Sequence, residues 1–551
     1  MGKVHGGRLV VKALRQEGVT HLFTLAGGHL FPIYDACMDA GIRIVDTRHE
    51  QAAGHMAEAW SLLTGRMGVC AVTAGPGLTD AVTAVANACQ SGSPMLVLGG
   101  RSPLSQNDSG PLQDMNQLAL MEPITKWARF CHQTHRIPEY IAMAFRHAMT
   151  GRPGPVYLEV PLDVLNGEVE ESEARFPTQY RSTAMPAGDP RFLEEAARLL
   201  AAAERPLILA GTGCLWSGAG PALKAFAEKA GIPVITRTGG RGVLADSHRL
   251  ALSGFLLSLV GIMSQADVVL ALGTRFNFML MYGRLFPPPV KVIQVDIEPA
   301  ELGFNRGPDV GIFGDIRLVL EGLAPLVPEQ PDRPWAAQAK EMLETSCRET
   351  RAAIPLDSYP VHPRRLVEEI REIAGKEAIY VCDGGDIMIW GSEAFPAERP
   401  ASVVSTGPLG CLGVGMPFAL AAKLAHPERP VVLLSGDGTF GLNGMEIDTA
   451  VRHNLPVLCV VGNDKAWGMI KHSQEFHYGH DRVCACDLGP VRYDLVAQAL
   501  GGYGELVERP EEIRPALERA LKYGKPACIN VLTDPTLPHP VTTFANQSGG
   551  F

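Results

Sequence analysis

Short, almost wholly apolar runs, each followed by a longer stretch of mixed or helical pattern, recur along this chain and constrain its fold more than any other feature. HLFTL (21–25), IRIVD (42–46), GVCAVT (68–73), PMLVLGG (94–100) and GPVYLEVP (154–161) carry apolar residues at successive positions. A strand with one wet face alternates between apolar and polar residues. A strand covered on both faces does not, and such strands belong to parallel sheets sandwiched by helices. Between them lie helical stretches such as EQAAGHMAEAWSLLTG (50–65). The rhythm returns at PLILAG (206–211), PVITR (233–237), DVVLALG (267–273) and KVIQVDIEP (291–299), and again at EAIYVCDGG (377–385), PVVLLSGDG (430–438), LPVLCVVGND (455–464) and PACINVLTDP (526–535). The chain is therefore read as an α/β protein of three consecutive parallel-sheet domains, at 1–166, 191–330 and 360–535. Its 551 residues fit three or four domains of roughly 150 residues each. The polar stretch 167–190 reads as a linker, and LVPEQPDRPW (326–335) leads into a helical connector. Residues 536–551, without helical or strand pattern, are expected to form a tail free to act as a lid.

Composition narrows the function class. With 49 Lys and Arg against 59 Asp and Glu, the net charge is −10, opposite to the cationic surface that nucleic acids or anionic membranes require. No apolar run approaches the ~20 residues of a membrane span, and the first residues lack the order of a signal peptide. A cytoplasmic protein binding neither nucleic acid nor membrane is expected. The twelve cysteines are scattered without recurring CxxC pairs, so neither a zinc site nor a disulfide framework is indicated. Cys484 and Cys486 read as two reduced thiols. His472, His477 and His480, in the polar HSQEFHYGH, read as a solvated loop face.

The sharpest local signal is Ser435-Gly436-Asp437-Gly438-Thr439-Phe440-Gly441, directly after the apolar VVLLS. A strand, a glycine turn and a helix start together present backbone N–H groups to an anion, typically a phosphate. Asp437 in that turn would repel a phosphate unless a divalent cation lay between them. Asn463 ends the next apolar run, twenty-six positions later, and an amide oxygen with a neighbouring carbonyl suits Mg²⁺.

This pattern resembles that of the thiamine diphosphate (ThDP) enzymes, the acetolactate synthase-like superfamily, and the resemblance extends over nearly the whole chain. It implies that Mg²⁺ is held by the side chains of Asp437 and Asn463 and the carbonyl of Lys465. The family usually has Asn-Asn where this chain has Asn463-Asp464. The resemblance also implies cofactor contacts from Gly385, Asp386 and Ile387, from Gly436, Gly438 and Thr439, and from Ala466, Trp467, Gly468 and Met469. Glu50, in Arg48-His49-Glu50, matches the glutamate that hydrogen-bonds the pyrimidine N1′; a first-turn Glu also complements a helix dipole. Thr73 and Pro76, in the turn TAGPG, match the family's turn beside the pyrimidine. Gly410 and Leu412 fall in GPLGCLGVGMP (407–417), where these enzymes place the apolar wedge that bends the cofactor. Family members build each site across a dimer interface, so a homodimer or homotetramer is implied.

Within the family, GGRLVVKALRQEGVTHLF, ACMDAGIRIVDTRHEQAAGH and LQDMNQLALMEPITKWA look most like benzaldehyde lyase, which places a catalytic His and Gln at the positions of His29 and Gln113. That enzyme's second His, in the Gly-rich turn, is replaced by Ala26. The resemblance implies a carbon–carbon lyase and carboligase of 2-hydroxy carbonyl compounds, working through a C2 ylid and an enamine, with an aldehyde or ketone as substrate or product. TRFN (274–277), residues 291–315 and Arg492-Tyr493-Asp494 look more like 2-hydroxyacyl-CoA lyases and oxalyl-CoA decarboxylases. An acyl-CoA substrate would need cations, for which Arg275, Arg284 and Arg306 are candidates. Acetolactate synthase, or a 2-oxo acid decarboxylase, is the third reading. It is weakened by Ser473, which falls where the synthase has a pocket Trp, and by the want of its flavin features.

Overall fold

A computed structural model describes residues 2–548; the last residues of the expected tail, 549–551, lie outside the described residues. Three all-parallel sheets form, with helices in their connections. In the first, the strands lie in the spatial order Arg43–Asp46, His21–Thr24, Gly68–Val72, Met95–Arg101, Pro155–Pro161, Ala128–Phe130. The middle sheet runs Val234–Thr236, Pro206–Ala210, Val268–Leu272, Lys291–Asp296, Val310–Phe313. The third runs Val403–Ser405, Ile379–Asp383, Val431–Gly436, Leu458–Asn463, Ala527–Leu532, Tyr503–Val507. Counted along the chain, the first and third sheets share one strand order, 2-1-3-4-6-5, and the middle one is 2-1-3-4-5. In each, chain order reverses between the first and third strands. Open α/β sheets bind ligands at such a switch point, beyond the carboxyl ends of the strands.

The expected strands appear within a few residues of their predicted bounds. Gly68–Val72, Pro206–Ala210, Val268–Leu272 and Ile379–Asp383 are buried along their whole length. The linker is not wholly irregular: Glu168–Glu170 pairs antiparallel with Lys3–His5. The tail, expected to lack regular structure, contains the helix Pro540–Gln547, started by His539, whose Nδ1 accepts from Val541 N. HSQEFHYGH is not a loop either. It lies largely on the helix Gly468–Tyr478, and His472 is 7% exposed. No helix among the described residues is long and apolar enough to cross a membrane.

Two compact units emerge from the packing. One comprises Met1–Thr183, Thr406–Glu428 and Gly441–Pro456; the other comprises Ala184–Ser405, Arg429–Phe440 and Val457–Phe551. In the first, the helix Glu50–Thr64 begins where His49 Nδ1 accepts from Gln51 N and ends at Gly65, left-handed at φ 67°, a common helix stop. The helix Gly415–Ala425 packs against it, with the Phe418 ring edge-on to His55.

Candidate active site

The residues singled out in the sequence fall into two groups, one in each unit, and each group gathers at the switch point of a six-stranded sheet. In the first unit, His29 lies beyond the strand His21–Thr24 and Thr73 beyond Gly68–Val72. His29 Nδ1 and Thr73 Oγ1 are 2.9 Å apart. His29 is 9% exposed, and burial lowers its pKa from the ordinary value, so it is neutral near pH 7. Gln113, half-buried with φ +64°, lies against Gly75, where an added Cβ would meet its Cβ at 2.9 Å. A second glutamine had no signal in the sequence. Gln117 is buried, accepts from Gly75 N at 2.8 Å and donates to Gly100 O at 3.0 Å, so it holds the Thr73–Gly77 turn in place.

Glu50 opens its helix with 8% exposure. Burial, then the Asp80 carboxylate, raise its pKa above the usual carboxylate range, against the lowering pull of its own backbone N–H and of His49. Its Oε1 lies beside Gly77, 3.4 Å from where a Cβ would stand, and Thr73 Cγ2 closes the other side of that glycine. Glu50, Thr73 and the turn carrying Pro76 therefore share one small region. Gly410 (φ 66°) and Leu412 lie on a turn; the intervening Cys411 Sγ is 3.8 Å from His55 Nε2, on the helix that Glu50 begins. Another acidic residue without a sequence signal holds the backbone just before Glu50. Glu446, 1% exposed, accepts from the backbone N–H of Arg48 at 2.9 Å and from Thr449 Oγ1.

In the second unit, Asp437 follows the strand Val431–Gly436 and Asn463 ends Leu458–Asn463, the neighbouring strand. Both are buried, at 2% and 0% exposure. Asn463 donates to Asn530 Oδ1 and Val491 O, while its own Oδ1 accepts from Lys465 N at 3.1 Å. Those bonds fix the amide so that the oxygen faces the turn. Lys465 has φ 62°, and its carbonyl accepts from Leu488 N at 2.8 Å, leaving one lone pair. Asp437 Oδ2 is buried and has no hydrogen-bond partner. Burial, then the neighbouring Asp464 carboxylate, drive the pKa of Asp437 well above the carboxylate range. A buried carboxylate with an orphaned oxygen and a half-buried carboxylate, beside an amide oxygen, make an unfavourable arrangement on their own and a suitable oxygen set for a hard divalent cation.

The surrounding backbone is close-packed by glycine. A Cβ on Gly438 would come within 2.6 Å of the Trp467 indole, and one on Gly385 within 2.8 Å of Met469 Cβ. Gly385 and Met469 mark the starts of the helices Asp386–Ala394 and Gly468–Tyr478, so two positive helix ends meet beside the Asp437 turn. Ile387 fills the space beneath Gly384, Gly436 and Gly462. Thr439 Oγ1 donates to the buried Asp383. The Asp386 carboxylate is committed elsewhere: it accepts from Thr542 Oγ1 and bonds His472 Nδ1 at 3.1 Å. Only its backbone N–H is left for an anion.

Of the three cations considered for an acyl-CoA, Arg306 is spent on the carbonyls of Phe286, Val290 and Gly307, and Arg284 lies over the Tyr282 ring. Arg275 has partners of its own. Cys484 and Cys486 are free thiols, and no metal-competent cluster among the described residues contains them.

Comparison with known proteins bears on both groups. Three family models match: the N-terminal TPP binding domain of thiamine pyrophosphate enzymes at residues 4–120, their central domain at 193–323, and their C-terminal TPP binding domain at 383–531. A protein from Mycobacterium bovis described as a probable acetolactate synthase is 40% identical over 540 residues, covering 98% of this chain and 97% of that protein. A probable acetolactate synthase large subunit from Methanococcus aeolicus is 33% identical, covering 97% and 92%. The 2-hydroxyacyl-CoA lyase 2 of Bos taurus is 34% identical, covering 96% and 90%. With matches to all three domains and full-length relatives above 30% identity, this chain belongs to the thiamine pyrophosphate enzyme family.

Proposed function

We propose that the chain is a ThDP- and Mg²⁺-dependent carbon–carbon lyase and carboligase that cleaves or forms 2-hydroxy carbonyl compounds, in the manner of benzaldehyde lyase. The observation that carries this reading is the buried, neutral His29 bonded to Thr73 in the same turn region as Glu50. Cleaving the bond between a carbonyl and a carbinol carbon requires a base for the hydroxyl proton, and an imidazole kept neutral at pH 7 is that base. In the tautomer that donates Nδ1–H to Thr73 Oγ1, the free electron pair sits on Nε2. Gln113 is assigned to the substrate oxygen, to which its amide donates.

Asp437, Asn463 Oδ1 and the Lys465 carbonyl would hold Mg²⁺, and the N–H groups around Gly385–Ile387, Gly436–Thr439 and Ala466–Met469 would hold the diphosphate. Glu50 would keep a proton on the pyrimidine N1′, a task suited to a carboxyl whose pKa burial has raised. Leu412, Gly410, Thr73 and Pro76 would support the bent cofactor. When bound, ThDP supplies the electron sink for bond cleavage next to a carbonyl. Its pyrimidine- and diphosphate-binding residues would be brought together between two chains of a homodimer or homotetramer.

A second reading is favoured by the full-length 40% identity to a probable acetolactate synthase. Ser473, whose hydroxyl turns back to Met469 O, speaks against it. The acyl-CoA reading is supported by the 34% identity to a 2-hydroxyacyl-CoA lyase and opposed by the engagement of Arg306. One experiment separates the three: the Mg²⁺–ThDP protein is offered benzoin, 2-hydroxyisobutyryl-CoA and pyruvate. Benzaldehyde from benzoin alone supports the proposal. Acetone with formyl-CoA moves the assignment to the thioester lyases, and acetolactate from pyruvate overturns the lyase reading.

A further inference from the structure

Away from the candidate active site, the second unit contains a cleft of about 750 Å³ whose lining includes four arginines: Arg348 and Arg351 from the helix Pro334–Ala352, and Arg364 and Arg371 from the helix Pro363–Ala374. Its volume lies within the range of small-molecule sites. The carboxylates around it are already taken. Asp246 accepts from Arg241 and from Ala397 N, and Glu393 accepts from Leu256 N and bonds His539. Glu368 alone serves two of the four arginines, Arg351 at 2.7 Å and Arg364 at 2.9 Å. Neither Arg348 nor Arg371 has a carboxylate within ion-pairing distance among the described residues. With Asp246 balanced by Arg241, the four arginines exceed the carboxylates of Glu368 and Glu393 by about two positive charges.

Arg364 is the decisive side chain. It is 6% exposed, and its Nη1 is buried without any hydrogen-bond partner. A buried guanidinium nitrogen left unpaired is costly, and the same fork geometry makes it a strong binder of planar or tetrahedral oxyanions. The guanidinium lies 4.6 Å over the Phe255 ring, and Phe255 and Phe395 give the cleft an apolar wall.

We infer that this cleft is a binding site for a small organic anion, one with a carboxylate or phosphate head for the arginines and an apolar body for the phenylalanine wall. The site is independent of the reaction proposed above. It shares no residue with the ThDP cradle, although the helix Asp386–Ala394 that contributes Glu393 and Ala394 to the cleft begins in that cradle.

The test is calorimetric titration of the full chain, saturated with Mg²⁺ and ThDP so that the diphosphate cradle is filled, with phenyl phosphate, benzoate, benzyl alcohol and inorganic phosphate. Phenyl phosphate or benzoate should bind at least tenfold more tightly than benzyl alcohol and inorganic phosphate, and whichever binds better identifies the head group. Arg348→Gln and Arg371→Gln remove cleft charge without breaking an ion pair, and each should weaken that binding at least fivefold. Arg364→Gln should weaken it more, but this variant also breaks a buried pair and is read only if its circular dichroism matches the parent. The inference is overturned if neither aryl anion binds, if inorganic phosphate binds as well as phenyl phosphate, or if Arg348→Gln and Arg371→Gln bind like the parent.

Discussion

Glu50 shows how the place a chain gives a carboxyl changes its hold on a proton. At the first turn of a helix a glutamate ordinarily stays ionised, helped by the dipole. Here burial against Thr73 and Gly77 outweighs that help and raises its pKa, and a carboxyl so placed can share a proton with a ring nitrogen near neutral pH. Glu50→Gln keeps the shape and the packing but cannot exchange that proton. Turnover at saturating ThDP should fall by about 10²-fold or more, while the thermal midpoint stays at or above that of the parent, because a buried carboxyl is replaced by a neutral amide. A variant that turns over at the parent rate would remove Glu50 from the mechanism. Asp437 and Asn463 stand out in the sequence because each is tied to a strand end that the apolar pattern locates, whereas Glu50 stands out only through the resemblance of Arg48-His49-Glu50 to the family's motif. Gln117 and Glu446 were not visible, since what marks them is a hydrogen bond to residues distant in the chain, Gly75 and Arg48.

Among the elements, the strands missed in the sequence are instructive. Ala128–Phe130, Val310–Phe313, Val403–Ser405 and Tyr503–Val507 all lie at sheet edges. An edge strand is short or half exposed, so it lacks the continuous apolar run that betrays a central one. The tail helix was hidden for a related reason: polar side chains hold it in place. His472 bonds Asp386 through Nδ1 and Pro535 O through Nε2, Asp386 accepts from Thr542, and His539 bonds Glu393. Burial pulls the His472 pKa down, but Asp386 and the Pro535 carbonyl outweigh it, with Glu475 adding to the rise, and the net shift is upward. A histidine raised on folding contributes stability that is fully present below its unfolded value of about 6.5 and fades as pH climbs through the folded value. Amide protection of residues 540–547, corrected for intrinsic exchange, should therefore be greater at pH 6 than at pH 9, and His472→Gln should abolish the difference. Equal protection in parent and variant at both pH values would rule out this latch. Glu446 gives the opposite chemistry with the same sign. Burial, partly offset by the Thr449 hydroxyl and the Arg48 N–H, pushes its pKa up to about 7. The folded state thus favours the protonated form, and its stabilisation is lost between the unfolded value, near 4.5, and the folded one. Denaturant unfolding at pH 5 and 7.5 should show the parent losing stability relative to Glu446→Gln by at most about 3 kcal/mol as pH rises. A constant gap between the two proteins would refute the assignment.

For the molecule as a whole, the division of labour between the two compact units is the feature that the sequence could not reveal. The apolar rhythm announces three parallel sheets, and three parallel sheets are present among the described residues, but packing assigns Thr406–Glu428 and Gly441–Pro456 to the unit that holds Glu50, while Asp437 and Asn463 remain in the other. That partition depends on contacts between residues hundreds of positions apart, which periodicity does not encode. Under the proposed function, the pyrimidine carboxyl of one chain serves the diphosphate cradle of a second, and complementation tests this without any knowledge of the substrate's natural identity. Glu50→Gln and Asp437→Asn are each expected to be inactive as homodimers. In a mixed dimer the two lesions fall together at one of the two sites, and the other site receives an intact Glu50 and an intact Asp437. Random exchange of equal amounts makes half of the dimers mixed, and half of the sites in those dimers are intact, so about a quarter of the parent activity should return. If each chain built its site alone, every site would carry one lesion or the other, and mixing would restore nothing. Activity measured before and after reversible dissociation of the mixture, with size-exclusion chromatography confirming reassembly, decides between the two.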